Sequence, residues 1–263
     1  MTAPRPLVWV TGASSGIGEA LARAAAARGD RVILSARRAD RLEAVRAACA
    51  NPGDHAVVPL DLGDAQGIRD AAARVLAELG VPDLVIHNGG VSQRSLVKDT
   101  DLAVLRRVME INYFGAVGLT LALLPAMRVR GSGRFVVVSS LTGKFGTPLR
   151  SGYAASKHAL HGFFDSLRAE AWRDGIGVTI ACPGFVRTQV SVNALTGDGA
   201  AQGSMDAATA EGLAPEVVAA RILRAAARER DEVVVAGREG LAVWLKRLLP
   251  GLFNRMIRKA RVT

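Results

Sequence analysis

Short uninterrupted apolar runs alternate along this chain with longer stretches whose apolar residues recur at helical spacing. The runs are Leu7-Val8-Trp9-Val10 and then 31–36, 55–62, 84–90 with its small-residue turn, 134–140, 177–184 and 232–236. Strands that are apolar on both faces belong in a parallel sheet covered by helices on either side. The helical stretches are 19–24, closing at Gly29, and then 64–79, 102–130, 153–172 and 215–228. This alternation, with no linker and no internal repeat, predicts a single α/β domain over residues 1–240. Its architecture would be a doubly wound, seven-stranded parallel sheet with helices on both faces.

Two segments depart from the alternation. Residues 188–212 are rich in Gly, Ala, Ser and Asp with weak periodicity, the pattern of a mobile lid. Beyond residue 240, Leu241, Val243, Trp244, Leu245, Leu248 and Leu249 are interleaved with Lys246 and Arg247. Pro250-Gly251 then breaks the pattern before Leu252, Phe253, Met256 and Ile257. A basic amphipathic segment of this kind packs on its own domain or a partner subunit, the reading we favour. Peripheral contact of 241–263 with an anionic membrane is the alternative.

Composition narrows the function classes. With 49% hydrophobic and 22% charged residues, the 263-residue chain can bury a sizeable core. Strand-like sequence by Leu7 leaves no room for a secretory leader, and no run reaches the roughly 18 apolar residues of a spanning helix. A cytoplasmic protein is expected, membrane-associated only if the tail makes it so. The net charge of +10 raises nucleic acid as a ligand. However, Lys246, Arg247, Arg255, Arg258, Lys259 and Arg261 all follow the last acidic residue, Glu239, which leaves the body of the chain at +4. No aromatic residues interleave with basic ones to stack bases, so no nucleic-acid partner is expected. Cys49 and Cys182 stand far apart and read as buried reduced thiols, not metal ligands.

The candidate chemistry begins where the first strand runs into Thr11-Gly12-Ala13-Ser14-Ser15-Gly16-Ile17-Gly18. Strand, glycine turn and helix bring backbone amides and a helix N-terminus to a pyrophosphate. At the end of the second strand, where an acidic residue would hold a ribose 2′-hydroxyl, stand Ala36, Arg37 and Arg38. Guanidinium groups grip phosphate through a planar fork of donors, so the pattern favours NADP(H) over NAD(H); a solvated helix start is the alternative. Asp61, ending the third strand, either accepts a bond from adenine or caps the following helix. Asn112 is a polar island in a helix and either faces solvent or has a specific task. Ser140 ends the fifth strand. Tyr153 and Lys157, four residues apart, share one helix face. The ammonium should pull the phenol's pKa down and make Tyr153 a general acid/base.

Taken together these residues resemble the short-chain dehydrogenase/reductase family over about residues 5–240. The loop from Thr11 to Gly18 matches the family's cofactor loop, and Asn88-Gly89-Gly90 resembles its Asn-Ala-Gly turn with glycine for alanine. Asn112, Ser140, Tyr153 and Lys157 match its catalytic tetrad in order and spacing, Ser140 lying thirteen residues before Tyr153. Pro183-Gly184-Phe185-Val186-Arg187-Thr188 matches the stretch that closes over the nicotinamide. The stretch from Asn88 through Leu160 also resembles the dehydrogenase/reductase member seven-like subgroup.

The resemblance implies a Rossmann-type fold and an NADP(H)-dependent oxidoreductase acting on a ketone, an aldehyde or a secondary alcohol. It implies Tyr153 as the acid/base, Lys157 on the ribose hydroxyls, Ser140 on the substrate oxygen and Asn112 holding a water that relays protons to Lys157. Cofactor contacts are implied for Gly12, Ser14, Ser15, Gly16, Ile17, Gly18, Arg37, Arg38, Asp61, Leu62, Asn88, Gly89, Gly90, Tyr153, Lys157, Pro183, Gly184, Val186 and Thr188. It also implies a homodimer or homotetramer. A non-catalytic NADP(H)-binding regulator on the same fold is the alternative, but it would be free to lose Tyr153 or Lys157. Leu141, Phe145, Leu149, Val190, Val192, Leu195 and Met205 are expected around the substrate, which points to an apolar molecule. His158 and His161 sit three apart without a third ligand and read as core or interface residues, not a metal pair. No role follows for His55 or His87.

Overall fold

Val8, Trp9 and Val10 are almost fully buried on both sides of their strand, as a central parallel strand requires. The computed structural model, which describes residues 5–260, turns the seven apolar runs into seven strands. These are β1 (Leu7–Thr11), β2 (Arg31–Ser35), β3 (Ala56–Val57), β4 (Leu84–His87), β5 (Gly133–Val138), β6 (Ile176–Pro183) and β7 (Glu232–Val235). They form one sheet in the order β3-β2-β1-β4-β5-β6-β7, each neighbouring pair parallel. The chain starts in mid-sheet, winds out to β3, then crosses back past β1 and winds out to β7. That reversal between β1 and β4 opens a crevice at the carboxyl ends of the strands, where such sheets take ligands.

The helices are α1 (Gly16–Ala27), α2 (Ala39–Ala47), α3 (Ala65–Glu78), α4 (Leu102–Met109), α5 (Gly115–Arg130), α6 (Ser151–Ala171), α7 (Ala207–Ala210), α8 (Pro215–Ala227), α9 (Leu241–Leu248) and α10 (Pro250–Ile257). On one face of the sheet, Trp9, Ile33, Phe135 and Ile180 pack against α3, α5 and α6 through Val75, Leu123, Met127 and Phe164. On the other face, Val10, Leu34, Ile86 and Val136 pack against α1, α2 and α8 through Leu21, Leu42 and Ile222. Each large apolar side chain so buried contributes about 1.5–3 kcal/mol, which makes the two layers the main source of stability. Trp9 is fully buried, and its indole N–H donates to Ser35 Oγ at 2.8 Å.

Three details differ from the sequence reading. Regular pairing of the third strand is confined to Ala56–Val57, although Val58 and Leu60 still donate to Leu34 O (3.0 Å) and Ala36 O (2.9 Å) as the chain bends towards Asp61. α2 was missed because only Leu42 and Val45 are buried, too few for an apolar stripe. The helical stretch 102–130 is interrupted by a π turn at Glu110–Phe114, which buries Asn112. By length and composition that stretch could span a bilayer, but its Leu119, Leu123 and Met127 are fully buried in the core.

The tail folds as α9 and α10, with Pro250 opening the second helix where its missing N–H costs nothing. Phe253 is buried against Leu141 and Phe145, so one face of the tail packs on the domain. Arg261 lies outside the described residues.

Candidate active site

The glycine loop is held open by close backbone approaches. Gly12 has φ +67°, and a Cβ there would meet Gly89 Cα at 2.7 Å; a Cβ on Gly18 would meet Gly12 O at 2.1 Å. Only glycine fits either place. Thr11 Oγ1 accepts from the backbone N–H groups of Asn88 and Gly89, both at 3.1 Å. Asn88 Nδ2 donates to Thr11 O at 3.1 Å and Gly12 O at 3.4 Å. The Asn88 amide therefore staples the end of β4 to the loop after β1. What results is a cradle of bare backbone at the start of α1, suited to the pyrophosphate of a dinucleotide.

This cradle opens into a cavity of about 580 Å³ that runs along the crevice. Gly12, Ser14, Ser15, Gly16, Ile17, Arg37, Arg38, Asp61, Leu62, Asn88, Gly89 and Gly90 line the part of it next to the cradle. Ser140, Tyr153, Lys157, Pro183, Gly184, Val186 and Thr188 line the remainder. Arg37 and Arg38 are exposed at the end of β2, as a phosphate site at the rim requires. Asp61 Oδ1 accepts from Gly63 N at 2.9 Å, whereas the cap of α3 is Asp64, which accepts from Gln66 N and Gly67 N, each at 3.0 Å. Helix capping is thus supplied without Asp61.

Two residues of the sequence-derived set do not line the cavity. Gly18 lies inside α1 and serves close packing against the Gly12 carbonyl. Asn112 is buried: its Oδ1 accepts from Val91 N (2.8 Å), and its Nδ2 donates to Val91 O and Ser156 Oγ (both 2.9 Å). Ser156 in turn donates to Tyr153 O at 2.8 Å. The Asn112 side chain thus ties the loop after β4 to α6. A π turn re-aims one side chain of a helix, which is how Asn112 comes to point at that loop.

Tyr153 and Lys157 project from α6 one turn apart. Lys157 Nζ donates to Val138 O at 2.8 Å and lies 5.6 Å from the Tyr153 ring centroid. Burial pushes the Lys157 ammonium down to about 8. The phenol departs from expectation. Burial raises the Tyr153 pKa above its ordinary value, and the opposing influences come from Arg150, a hydrogen bond with Ser140, and Arg94, not from Lys157. Desolvation outweighs the neighbouring cations here.

Arg94 and Arg150 line the same cavity and have no counterpart in the sequence reading. Arg94 Nε and Nη2 donate to Asp206 Oδ2 at 2.9 and 2.6 Å, and Arg150 Nη2 reaches the same oxygen at 3.4 Å. Burial pushes Arg150 down to about 10. Burial also works against the Asp206 carboxylate, but its bonds to Arg94 and Gln202 and the two arginine charges prevail and hold its pKa below the usual value. Gln93, fully buried, caps the first turn of α6: its Oε1 accepts from Gly152 N at 2.7 Å and Tyr153 N at 3.4 Å. A lone polar residue in a loop gives no periodic signal, so these partners were not legible.

The segment 188–212 is hydrogen-bonded to the body of the domain. Arg94 N donates to Leu195 O (2.8 Å), Leu195 N to Ser92 O (2.9 Å) and Asp101 N to Gly197 O (2.9 Å). Of the residues expected around the substrate, Val190 and Leu195 line the cavity. Leu141 and Phe145 instead pack beneath Phe253 of α10.

The remaining histidines have structural surroundings. His87 is buried beside the Phe135 and Phe164 rings and hydrogen-bonds Thr120 Oγ1 at 2.8 Å. His55 Nδ1 accepts from Val32 N at 3.2 Å. His158 is exposed, whereas His161 is buried and bonds Ser139 Oγ at 3.0 Å. No cluster of three or more His, Cys, Asp or Glu able to hold a metal occurs among the described residues.

Comparison with known proteins agrees with this geometry. The short chain dehydrogenase family model matches residues 6–198. A dehydrogenase/reductase SDR family protein 7-like from Anopheles gambiae is 45% identical over 260 residues, covering 96% of this chain and 82% of the relative. Dehydrogenase/reductase SDR family member 7B from Bos taurus is 45% identical over 259 residues, covering 95% and 80%. The crystal structure of a short-chain dehydrogenase from Streptomyces avermitilis superposes with a TM-score of 0.82 at 33% identity, covering 99% of this chain and 100% of the other. Two structures share the fold at lower identity and hold nucleotides. An alcohol dehydrogenase from Thermococcus sibiricus is complexed with 5-hydroxy-NADP (TM-score 0.75, 23% identity, covering 89% and 97%). A short chain dehydrogenase/reductase from Burkholderia phymatum is complexed with NAD (TM-score 0.82, 22% identity, covering 94% and 95%).

Proposed function

Because the chain belongs to the short-chain dehydrogenase family of oxidoreductases, we propose that it interconverts a ketone or aldehyde and the corresponding alcohol with NADP(H). The observation that carries this reading is the convergence of Ser140, Tyr153 and Lys157 on a cavity that also contains the glycine cradle and Arg37 and Arg38. When bound, the nicotinamide cofactor supplies or accepts the hydride. The chain's own residues do the rest. The cradle of Gly12 to Ile17 holds the pyrophosphate, and Arg37 and Arg38 favour a 2′-phosphate. Ser140 donates a hydrogen bond to the substrate oxygen where negative charge develops. Tyr153 gives that oxygen a proton in reduction and takes one in oxidation. Lys157 orients the ribose hydroxyls, and Asn112 fixes the Val91 loop against α6.

The walls offered to substrate include Val91, Ile111, Phe185, Val190 and Leu195, which favour an apolar body around the carbonyl. A nucleotide-sensing protein without catalysis could use Lys157 on the ribose, but it has no use for a buried phenol hydrogen-bonded to Ser140 in the same cleft, and this favours the enzyme reading. A homo-oligomer is part of this reading. The ring of exposed Phe114 lies 4.9 Å from that of Tyr113, which meets the Phe163 ring at 6.3 Å, so an aromatic patch joins the π turn before α5 to α6 and is the surface we assign to a second copy.

The test follows NADPH absorbance against a panel of ketones and aldehydes, with wild-type protein and Tyr153→Phe. The variant should retain NADPH binding and lose about 10²-fold or more in turnover. Near-normal turnover would overturn the assignment.

A further inference from the structure

The α9–α10 pair has two faces with different fates. Inward, Phe253 is buried with its ring 5.0 Å from that of Phe145, and Ala242, Val243, Leu245 and Ile257 pack around them. Outward, Leu241, Trp244, Leu248, Leu249, Leu252 and Met256 are 48–69% exposed. Positions 241, 244 and 248, and then 252 and 256, recur at helical spacing, so each helix carries a continuous apolar stripe. Single exposed apolar residues are ordinary, but such a concentration in sixteen residues marks a surface that meets something.

Charge says what it meets. Lys246, Arg247, Arg255, Arg258 and Lys259 lie in or just after the pair, and no acidic residue follows Glu239. None of the five takes part in an ion pair among the described residues. Lys246 Nζ instead bonds Asn254 Oδ1 at 3.2 Å and sits 5.3 Å over the Phe253 ring. Were this face to meet itself in a second copy, ten cations would be brought together without an anion between them. A lipid headgroup layer that carries negative charge satisfies the cations, and the acyl region below it takes the apolar stripe. Trp244 is the side chain that such an interface favours.

We propose that α9 and α10 form a lipid-docking surface that lies on anionic bilayers, with Trp244, Leu248 and Leu252 entering the interface and Arg247, Arg255 and Lys259 on the headgroups. This docking is peripheral, since neither helix is long enough to span. It bears on the cleft as well. Glu239, just before α9, accepts from Phe185 N at 3.3 Å, and Phe185 lines the cavity, so the root of the docking surface is also part of the cavity rim. An apolar substrate dissolved in the same bilayer would reach the site from there. The docking itself does not depend on the reductase reading.

The experiment is sedimentation of the full chain with vesicles of phosphatidylcholine alone or with 30% phosphatidylglycerol. The wild type should partition onto the anionic vesicles at least ten-fold better than onto the neutral ones, and the difference should shrink in high salt. Trp244→Glu with Leu248→Glu should abolish binding, and Arg247→Glu with Arg255→Glu should weaken it at least ten-fold. Each altered side chain points away from the core, and unchanged thermal unfolding establishes that the variants fold. Absence of vesicle binding by the wild type, equal binding to both compositions, or undiminished binding of the variants would overturn the proposal. So would dissociation of an oligomer by Trp244→Glu with Leu248→Glu in light scattering, since the face would then belong to a second copy.

Discussion

Arg94 and Asp206, 112 positions apart in the chain, form a buried ion pair in which two guanidinium nitrogens share one carboxylate oxygen, at 2.9 and 2.6 Å. Asp206 lies in the segment over the cavity and Arg94 in the loop after β4, so the pair pins that segment to the body. Arg150 joins at 3.4 Å, and both arginines act on Tyr153. One carboxylate therefore links the anchoring of segment 188–212 to the electrostatics of Tyr153.

Asp206→Asn removes the countercharge while keeping the shape. Breaking one side of a buried pair leaves an uncompensated charge, and a loss of about 3–5 kcal/mol is expected. Urea unfolding of the two proteins measures it. A loss below about 1 kcal/mol would mean that water already compensates the arginines.

Arg150→Met tests the electrostatic link. Arg150 is the largest of the influences that lower the Tyr153 pKa, so its removal should raise that pKa further. Alcohol oxidation needs the phenolate and should lose activity at the alkaline-rising limb, which moves to higher pH. Ketone reduction needs the protonated phenol and should persist to higher pH. Both profiles shift the same way, and a variant that only loosened the fold would lower activity without moving them.

Arg37→Ser addresses the cofactor. A charge-assisted bond to phosphate is worth about 1.5–3 kcal/mol, so NADPH affinity should fall by roughly 10- to 100-fold while NADH affinity is unchanged. Titrating the fluorescence of each nucleotide gives both numbers.

Buried histidines set the acid side of stability. Burial pushes His87 down to about 3, and burial with Lys144 pushes His161 down to about 4. The unfolded chain takes up protons at these groups near pH 6.5, whereas the folded chain does not. Stability is therefore complete above pH 6.5 and falls as pH drops towards 4, by up to about 1.4 kcal/mol per pH unit for each histidine. Urea midpoints at pH 7 and pH 5 should show it. His87→Gln cannot titrate, keeps a donor for Thr120, and should remove about half of the slope.

The strands and the glycine loop were legible because their signals are local. A strand buried on both faces must be apolar throughout, as Val8-Trp9-Val10 and Phe135-Val136-Val137 are. The turn at Gly12 accepts no side chain, and four residues bring Tyr153 and Lys157 onto one helix face whatever surrounds them. α2 was not legible, since two buried residues make no stripe. Neither was the path of Leu141 and Phe145, which read as pocket wall and instead seat Phe253.

The sequence by itself thus determined the order of strands and helices, the phosphate cradle, and the spacing of Ser140, Tyr153 and Lys157. Each is fixed by the conformations that a few neighbouring residues allow. The tertiary structure alone decided which groups surround the phenol. Arg94, Arg150 and Asp206 meet across distant segments, and Gln93 caps a helix nearly sixty residues away. Whether Tyr153's pKa rises or falls depends on burial set against charge at particular distances, and those distances exist only once the sheet has brought the loops together.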